Sequence, residues 1–313
     1  MFNFDDFLKL APKKLYREEV FSSAPKAPVI IEWWNPHPVY RMHKHAGFEE
    51  FAIIRQGLSV HYHRNSFQLL TPGDAIFVGT EHPHAYVCTH NLGLFNVVFN
   101  AEYFYSYFPE VENILSKLKT LSKNKNSLRI SSENLLQTLS IVYRIEYEHS
   151  LHFDDYTSSS MFSLFLQITI MLLRDNTEGY QVHKKNLKDS IKQLENLSNV
   201  ITFTRKHIDL PISEISAELT KAGLNNKTIQ RYFLKHLHIT LYQYIQLQKL
   251  ILVMNAILKN PASQLSDILI EAGYTNYRNF SRHIHKFFGI SPKEFQKNIL
   301  NIQQLSQVTS HLE

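Results

Sequence analysis

Residues 267–295 read DILIEAGYTNYRNFSRHIHKFFGISPKEF, and this stretch predicts two helices joined by a tight turn. Ile268, Leu269 and Ala272 put apolar side chains on one side of the first helix. Gly273 follows, and glycine readily adopts the left-handed conformation in which helices often end. We therefore expect the first helix to end at Gly273.

The second helix of this stretch has an apolar and a polar face. Thr275 or Asn276 can cap its start, and Phe280, Ile284 and Phe287 or Phe288 recur at helical spacing on the face that would be buried. The opposite face carries Tyr277, Arg278, Ser281, Arg282 and Lys286. Gly289 ends the helix, and Ser291-Pro292 begins another. A glycine turn followed by a helix with a basic outer face predicts a helix-turn-helix unit, whose second helix enters the DNA major groove.

A second copy of this pattern lies about 50 residues upstream. LPISEISAEL (210–219) predicts its first helix, TKAGLNN (220–226) a turn, and KTIQRYFLKHL (227–237) its second helix. Ile229, Phe233 and Leu237 would be buried. The exposed face would carry Asn226, Lys227, Gln230, Arg231 and Lys235. A long apolar helix from Tyr242 to Leu258 would join the two units rigidly.

The charge distribution also separates the chain into two halves. From Gln181 onward there are 17 Lys and Arg against 9 Asp and Glu, a net charge of +8; the preceding half has 16 against 19, a net of −3. A basic half beside a slightly acidic one is expected when one domain binds nucleic acid, although a charge of this size also occurs on ordinary solvated surfaces.

Composition excludes several other classes. The single cysteine, Cys88, excludes an intramolecular disulfide framework and a cysteine-rich zinc site. The chain has 9 glycines and no glycine-rich phosphate loop. The N-terminus lacks the apolar core of a signal peptide, and the run 161–173 is too short and polar to span a bilayer. We therefore expect a cytoplasmic protein.

The first half predicts short strands followed by helices. Between Val29 and Phe99 the segments VIIEWW, FEEFAIIRQG, LSVHYH, AIFVG, AYVCTH and LFNVVFN are rich in β-branched and aromatic residues. We expect turns between them at NPHP, RQG, HRNS, TPGD, GTEHPH and HNLG. Strands at this spacing predict a sandwich or small barrel. From Glu102 the apolar residues recur at helical spacing.

Histidines are unusually frequent in the predicted strands. His43, His45, Glu50 and His84 have the spacing of a cupin barrel, and His43 and His45 would point to one face of a strand. Such a cluster suits a divalent transition metal, the hydroxyl groups of a sugar, or a set of polar residues satisfied by their neighbours. The residues leave these three interpretations open. His61, His63 and His90 are expected to face solvent.

The region 267–295 resembles the AraC/XylS transcriptional regulators. The matching residues are Gly273, Tyr274, Phe280, Arg282, Phe287, Gly289, Ser291, Pro292 and Phe295. Leu269 departs from the alanine usual there, Ile284-His285 replaces Phe-Lys, and His238 replaces a glycine in the upstream unit. The double unit with its linker helix extends the resemblance to about 110 residues.

The resemblance implies which residues contact DNA. By position, Tyr277, Arg278, Asn279 and Arg282 of the second unit and Lys227, Gln230 and Arg231 of the first would contact bases. Lys286 and Lys235 would contact phosphates, which orient a protein on the duplex without specifying sequence.

The first half is similar to the sensor domain of the rhamnose-operon regulators in that family. HKHAGFEEFAIIRQG, TPGDAIFVGTEHPHAY and HNLGLFNVVFN carry this similarity. It implies an activator of a carbohydrate-utilisation operon with a sugar effector such as rhamnose. RNA polymerase is the expected partner at the operon, no cofactor is required, and a homodimer is expected through the helical face between Leu135 and Leu173. A plain hydrophobic core explains that face equally well.

The resulting expectation is an α+β chain. It comprises an arm (1–28), a cupin-like barrel with a helical dimerisation segment (29–175), a linker (176–188), a double helix-turn-helix domain (189–297) and a tail (298–313). One alternative is a metal-dependent cupin enzyme acting on sugars, which would leave the basic half unexplained. Another is the same type of regulator sensing a non-sugar molecule. We assign no catalytic residues.

Overall fold

The structure, a computed structural model, describes residues 2–80, 82–125, 127–151, 154, 156–177, 189–221, 225–274 and 276–312. It has the predicted α+β architecture, with a sheet-rich N-terminal part and a helical C-terminal part. Within those ranges no helix has the length and apolar character needed to cross a bilayer. Most of the predicted linker, and the turn residues 222–224, lie outside the described residues.

The strands are β1 Lys13–Tyr16, β2 Val29–Trp34, β3 Tyr40–Ala46, β4 Glu49–His63, β5 Ser66–Leu70, β6 Asp74–Val78, β7 His84–Phe99 and β8 Leu128–Arg129. The helices are α1 Phe4–Leu8, α2 Arg17–Val20, α3 Ala101–Tyr107, α4 Glu110–Lys125, α5 Ser132–Ser150, α6 Thr157–Asn176, α7 Asp189–Lys206, α8 Ile212–Lys221, α9 Asn226–Leu237, α10 Leu241–Lys259, α11 Leu265–Glu271, α12 Tyr277–Phe288 and α13 Pro292–Ser310.

All eight strands belong to one sheet built on the antiparallel pair β4 and β7. The order is β1-β3-β7-β4-β6-β8, with β2 also on β7 and β5 also on β4. The predicted barrel is therefore a strongly bent sheet: in the described part of the chain, its two end strands do not pair with each other. Both end strands are short, four residues in β1 and two in β8, so they offer few hydrogen bonds for closing the sheet.

The predicted turns at RQG and HNLG are wrong, because β4 and β7 run through both without a break. Gln56 is opposite Gly93, and Leu58 is opposite His90, with register shifts on either side. Gly57 and Asn91 both have positive φ, +69° and +49°. These two segments are therefore β-bulges that lie opposite each other in the antiparallel pair of β4 and β7, called here the β4–β7 ribbon. At this point both strands bend, and neither chain segment reverses direction.

The C-terminal helices form the two predicted helix-turn-helix units, α8 with α9 and α11 with α12, joined by α10. Asn225 caps α9 and Asn276 caps α12, each through its side-chain oxygen. Gly289 ends α12 in the left-handed region, and His238 adopts the same conformation at the end of α9. The tail predicted from residue 298 instead continues α13, which packs against α10 and β3.

The C-terminal helices pack directly on the sheet. One hydrophobic core includes Val60 and Phe67 of the sheet together with Phe233, Leu250 and other helical residues. The side chain of Asn255 in α10 accepts a hydrogen bond from the Phe67 backbone N–H (2.6 Å) and donates one to its carbonyl (2.9 Å). The two parts of the chain therefore share a core.

A buried ion cluster crosses the same boundary. Asp74, at the start of β6, accepts hydrogen bonds from Arg129 Nη1 (2.8 Å) and from Arg205 Nη1 and Nη2 of α7 (2.7 and 2.8 Å). Arg205 also donates to the Leu69 carbonyl and to the Tyr244 hydroxyl. Burial opposes ionisation of Asp74, but Arg205 and Arg129 hold its pKa well below the usual range.

The N-terminal arm lies against α12, the second helix of the second unit. The Phe2 N–H donates to the Phe287 carbonyl (2.8 Å), and the Phe4 ring stacks on Phe288 with 4.8 Å between centroids. Phe4 also contacts Phe295 of α13. The arm is thereby part of the core shared by the sheet and the helices.

Candidate effector cavity and DNA-contacting surface

Four predicted site residues meet in a cup formed by three strands. His43 and His45 come from β3, Glu50 from β4 and His84 from β7, and all four are buried. His43 and His45 share a face because strand side chains alternate. His43 is the register partner of His84 on the neighbouring strand.

The bend in the β4–β7 ribbon brings Glu50 next to these histidines. Glu50 is opposite Val98 at one end of the ribbon, and His63 is opposite His84 at the other. In a straight strand, Glu50 and His63 would lie roughly 40 Å apart. Instead, Glu50 Oε1 is 3.8 Å from His84 Nε2, and Glu50 Oε2 is 4.0 Å from His45 Nε2. The bend at Gly57 therefore builds the cup.

Two further histidines belong to this cluster, which corrects the expectation that they face solvent. His61 is fully buried, and its Nε2 is 3.2 Å from His84 Nδ1. His63, on β4, is 6% exposed and lies opposite His84 on β7. His61 and His63 alternate along LSVHYH, which indicates that they share one face of the strand. The pattern does not show that this face is buried, because both sides of this sheet are covered. His90 is half-buried and outside the cup.

Sequence reasoning missed most of the remaining wall of the cup. The cavity has a volume of about 190 Å³. Besides the four predicted residues, its lining includes Glu32, Trp34, His37, Tyr40, Tyr86 and Asn96. Glu32 and Trp34 alternate on β2, so the period of that strand could have placed them on one face. Asn96 Nδ2 donates to Glu32 Oε2 (3.2 Å).

Burial keeps Glu50 and the buried histidines of the cup in their neutral forms near pH 7. Burial lowers the pKa of His43 to about 4 and that of His61 to about 3. Burial also holds the pKa values of His45 and His84 well below the usual range. Burial, and then the nearby Glu32 carboxyl, raises the pKa of Glu50 to about 8. The cup therefore presents neutral hydrogen-bond donors and acceptors.

The predicted DNA-contacting residues of the second unit lie on the open side of α12. Tyr277, Arg278, Arg282 and Lys286 are exposed, and Asn279 is half-buried. Phe280, Ile284, Phe287 and Phe288 are buried on the opposite side. Arg282 Nη2 donates to Asn279 Oδ1 (3.0 Å), which holds the guanidinium along the helix. The predicted polar and apolar faces of this helix are confirmed.

The first unit has the same arrangement on α9. Lys227, Arg231 and Lys235 are exposed, and Gln230 is half-buried. The Arg231 guanidinium lies 5.6 Å from the Tyr232 ring centroid, and Lys235 Nζ donates to Gln193 Oε1 of α7 (3.1 Å). Lys235 is thus partly committed to an intramolecular contact, whereas Lys227 is available to a partner on the open side of the helix.

Comparison with known proteins matches both parts of the chain. Residues 26–152 match the family model described as an AraC-like ligand binding domain, and residues 219–298 match a helix-turn-helix domain. The HTH-type transcriptional activator RhaR of Mannheimia succiniciproducens is 26% identical over 288 residues, covering 88% of this chain and 94% of the relative. The HTH-type transcriptional activator RhaS of Enterobacter sp. (strain 638) is 23% identical over 273 residues, covering 87% and 92%. A solved structure of ToxT from Vibrio cholerae aligns with 13% identity and a TM-score of 0.28, over 86% of this chain and 97% of that one.

Proposed function

Because the chain belongs to the AraC family of transcriptional regulators, we propose that it activates a carbohydrate-utilisation operon in response to a sugar such as rhamnose. The sugar occupies the cup formed by His43, His45, Glu50 and His84. The helices α9 and α12 read the operator, and RNA polymerase is the partner recruited there. We propose no reaction for the cup, since the relatives that match both domains are transcriptional activators.

The size and polarity of the cup support the choice of effector. At about 190 Å³ the cavity is smaller than the roughly 300–1,000 Å³ typical of drug-sized ligands. The imidazoles, Glu50 and Asn96 in its wall both donate and accept hydrogen bonds, and sugar hydroxyl groups do the same.

A non-sugar effector such as a fatty acid fits the cup less well. An acyl chain would cover Glu50, Tyr86, Asn96 and the imidazoles without pairing them. Each buried polar group left unpaired costs about 1–3 kcal/mol. A polyol of monosaccharide size pairs these groups instead.

DNA recognition rests on the two helical faces. Arg278 and Arg282 are one turn apart on α12 and contact base edges together with Tyr277 and Asn279; Lys227, Gln230 and Arg231 do so from α9. Lys286 and Lys235 contact phosphates. Two recognition helices on one rigid helix suit successive major-groove segments about 34 Å apart.

Dimerisation is assigned to the outer side of α5. Leu136, Tyr143 and Tyr147 are 39%, 59% and 65% exposed and recur at helical spacing. By contrast, α6 contributes Phe162, Phe165 and Ile168 to the core. A Tyr147→Glu variant that sediments as the wild-type dimer would contradict this assignment.

The function is tested by titrating fluorescent operator DNA, selected from a random pool with the full chain, in the presence and absence of single sugars. Arg282→Ala should weaken binding to the selected DNA about 5–150-fold, equivalent to 1–3 kcal/mol. Lys117→Ala, at an exposed lysine on α4 outside both assigned surfaces, is the control and should bind normally. The effector sugar should raise wild-type DNA affinity and raise the melting temperature of the Arg282→Ala variant.

Equal DNA affinities of the Arg282→Ala and Lys117→Ala variants would contradict the DNA-binding assignment. A melting temperature raised by a fatty acid, and by none of the sugars, would contradict the effector assignment.

A further inference from the structure

Three histidine ring nitrogens of the cup lie close together. Binding of sugar hydroxyl groups alone does not require such a cluster. His43, His45 and His84 each offer a ring nitrogen, and the three atoms lie within 4.8 Å of one another. All three residues are fully buried, or nearly so, and all line the cavity. The hydrogen bonds around each ring decide which nitrogen carries the proton.

The tautomer of His43 is fixed by its backbone neighbour. His43 Nδ1 is 2.9 Å from the Arg41 carbonyl oxygen, which can only accept, so Nδ1 carries the hydrogen. A neutral imidazole has one hydrogen, and His43 Nε2 therefore carries a lone pair. This is the outer contact that orients a metal-binding histidine in many proteins.

The orientation of the Gln68 amide decides the tautomer of His84 through a relay of two side chains. With the amide nitrogen facing His61 Nδ1, the relay would put the His84 hydrogen on Nε2. His84 Nδ1 is 3.2 Å from His61 Nε2, and His61 Nδ1 is 3.2 Å from the Gln68 amide nitrogen. The Gln68 amide oxygen is buried and has no partner among the described residues. Rotating the amide by half a turn lets this oxygen accept from His61 Nδ1–H. His61 Nε2 then accepts from His84 Nδ1–H, and the lone pair of His84 lies on Nε2, facing the cup.

The distances around these lone pairs fit a coordination site. His84 Nε2 and His45 Nε2 are 3.3 Å apart. Two nitrogens on a tetrahedral ion with bonds of about 2.0–2.1 Å lie about 3.3–3.4 Å apart. The Glu50 carboxyl is 3.8 and 4.0 Å from these two nitrogens, and His45 Nδ1 is buried with no partner in the described part of the chain.

We propose that His43, His45, His84 and Glu50 bind one divalent transition-metal ion, and that His61 and Gln68 hold His84 in the tautomer that binds it. Imidazole and carboxylate ligands suit ions such as Zn²⁺, Ni²⁺, Co²⁺ and Fe²⁺. All four ligands line the cavity, so the ion is reached from it, and an effector hydroxyl adds as a fifth ligand. This last step rests on the proposed function, whereas metal binding itself does not.

The test uses the full chain without a histidine tag, treated with a chelator and then titrated with Co²⁺ or Zn²⁺ alone. We expect one ion per chain by calorimetry and a visible Co²⁺ absorption band typical of a low-coordinate nitrogen site. His84→Gln and His45→Gln should each lose that band while keeping the far-ultraviolet dichroism of the wild type. His90→Gln, on the same strand as His84 but outside the cup, should keep it.

Failure of the wild-type chain to bind either ion overturns the proposal, as does unchanged binding by His84→Gln or His45→Gln. Neither result bears on operator binding, which is measured separately by the DNA titration. The DNA titration can likewise fail while the metal titration succeeds.

The relay is tested by two substitutions of similar size at Gln68. Gln68→Glu keeps an acceptor facing His61 Nδ1–H and should bind Co²⁺ with at least wild-type affinity. Gln68→Met removes the acceptor and should weaken binding about 10–100-fold, the usual effect of losing an outer-sphere partner. Weaker binding by Gln68→Glu than by Gln68→Met would show that the relay runs in the opposite direction, and would overturn the assignment of His84.

Discussion

Glu50 is a carboxyl group of the cup whose pKa lies close to neutral pH. It is 4% exposed and lies beside Glu32 and two imidazoles. In the metal-free chain, burial and then Glu32 raise its pKa to about 8 from the ordinary value of 4.5. The folded chain therefore binds a proton on Glu50 that the unfolded chain releases between those two values.

The sign of the resulting pH dependence follows from linkage. Where the folded state holds more protons, rising pH lowers the free energy of unfolding, here by up to about 1.4 kcal/mol per pH unit between pH 5 and 8. Glu50→Gln removes this titration. In the presence of a chelator, the variant should therefore gain stability relative to wild type as pH rises, as measured by urea unfolding at several pH values.

The exposed Glu112→Gln on α4 is the control for Glu50→Gln and should track the wild type across this range. A constant difference between Glu50→Gln and wild type from pH 5 to 8 would contradict the prediction.

At the scale of elements, the bend in the β4–β7 ribbon matters most. Gly57 has φ +69°, and a Cβ added there would lie 2.0 Å from the Asn91 carbonyl oxygen. The two strands approach closely where each carries a bulge, and the approach turns the ribbon back on itself. The cup residues at opposite ends of the ribbon meet for this reason.

Gly57→Ala should therefore cost more than the backbone conformation alone explains. Gly289 supplies the matched control, because it has φ +71° and nothing within 4 Å of an added Cβ. Gly289→Ala should cost about 1–2 kcal/mol of stability for the left-handed conformation. Gly57→Ala should cost at least about 1–3 kcal/mol more, since the clash involves backbone that must shift. Urea unfolding of both variants measures the difference, and equal losses would show that the close approach is unimportant.

At the level of the whole molecule, the sheet and the C-terminal helices are joined by a shared core and the Asp74 cluster. Strand β6 begins at Asp74 and ends at Val78, which is the register partner of Glu50 in the cup. The cup and the ion cluster therefore lie at the two ends of one five-residue strand.

Loss of the Asp74 charge should weaken this connection. Asp74→Asn leaves Arg129 and Arg205 without their counter-ion, and breaking a buried pair in this way costs about 3–5 kcal/mol. Both tryptophans, Trp33 and Trp34, are in β2, so their fluorescence reports on the sheet, whereas far-ultraviolet dichroism is dominated by the helices. The two signals should coincide during unfolding of the wild type and separate in the variant.

Glu218→Ala is the control for the Asp74 prediction, because it removes only an exposed ion pair with Lys221 and should leave the free energy of unfolding nearly unchanged. A similarly small loss for Asp74→Asn, with coincident transitions, would contradict the role assigned to the cluster.

The local features of this protein could be predicted from its sequence alone. Helix periodicity, caps and the glycine turn located α11, α12 and α10 closely, because those signals depend on neighbours along the chain. The same reasoning identified His43, His45, Glu50 and His84 as a group. The three-dimensional structure was needed to show that RQG and HNLG are bulges, that His61 and His63 are buried, and that Asp74 pairs with Arg205. Each of these features depends on contacts with a segment that is distant in sequence, and the residues next to it along the chain do not identify that segment.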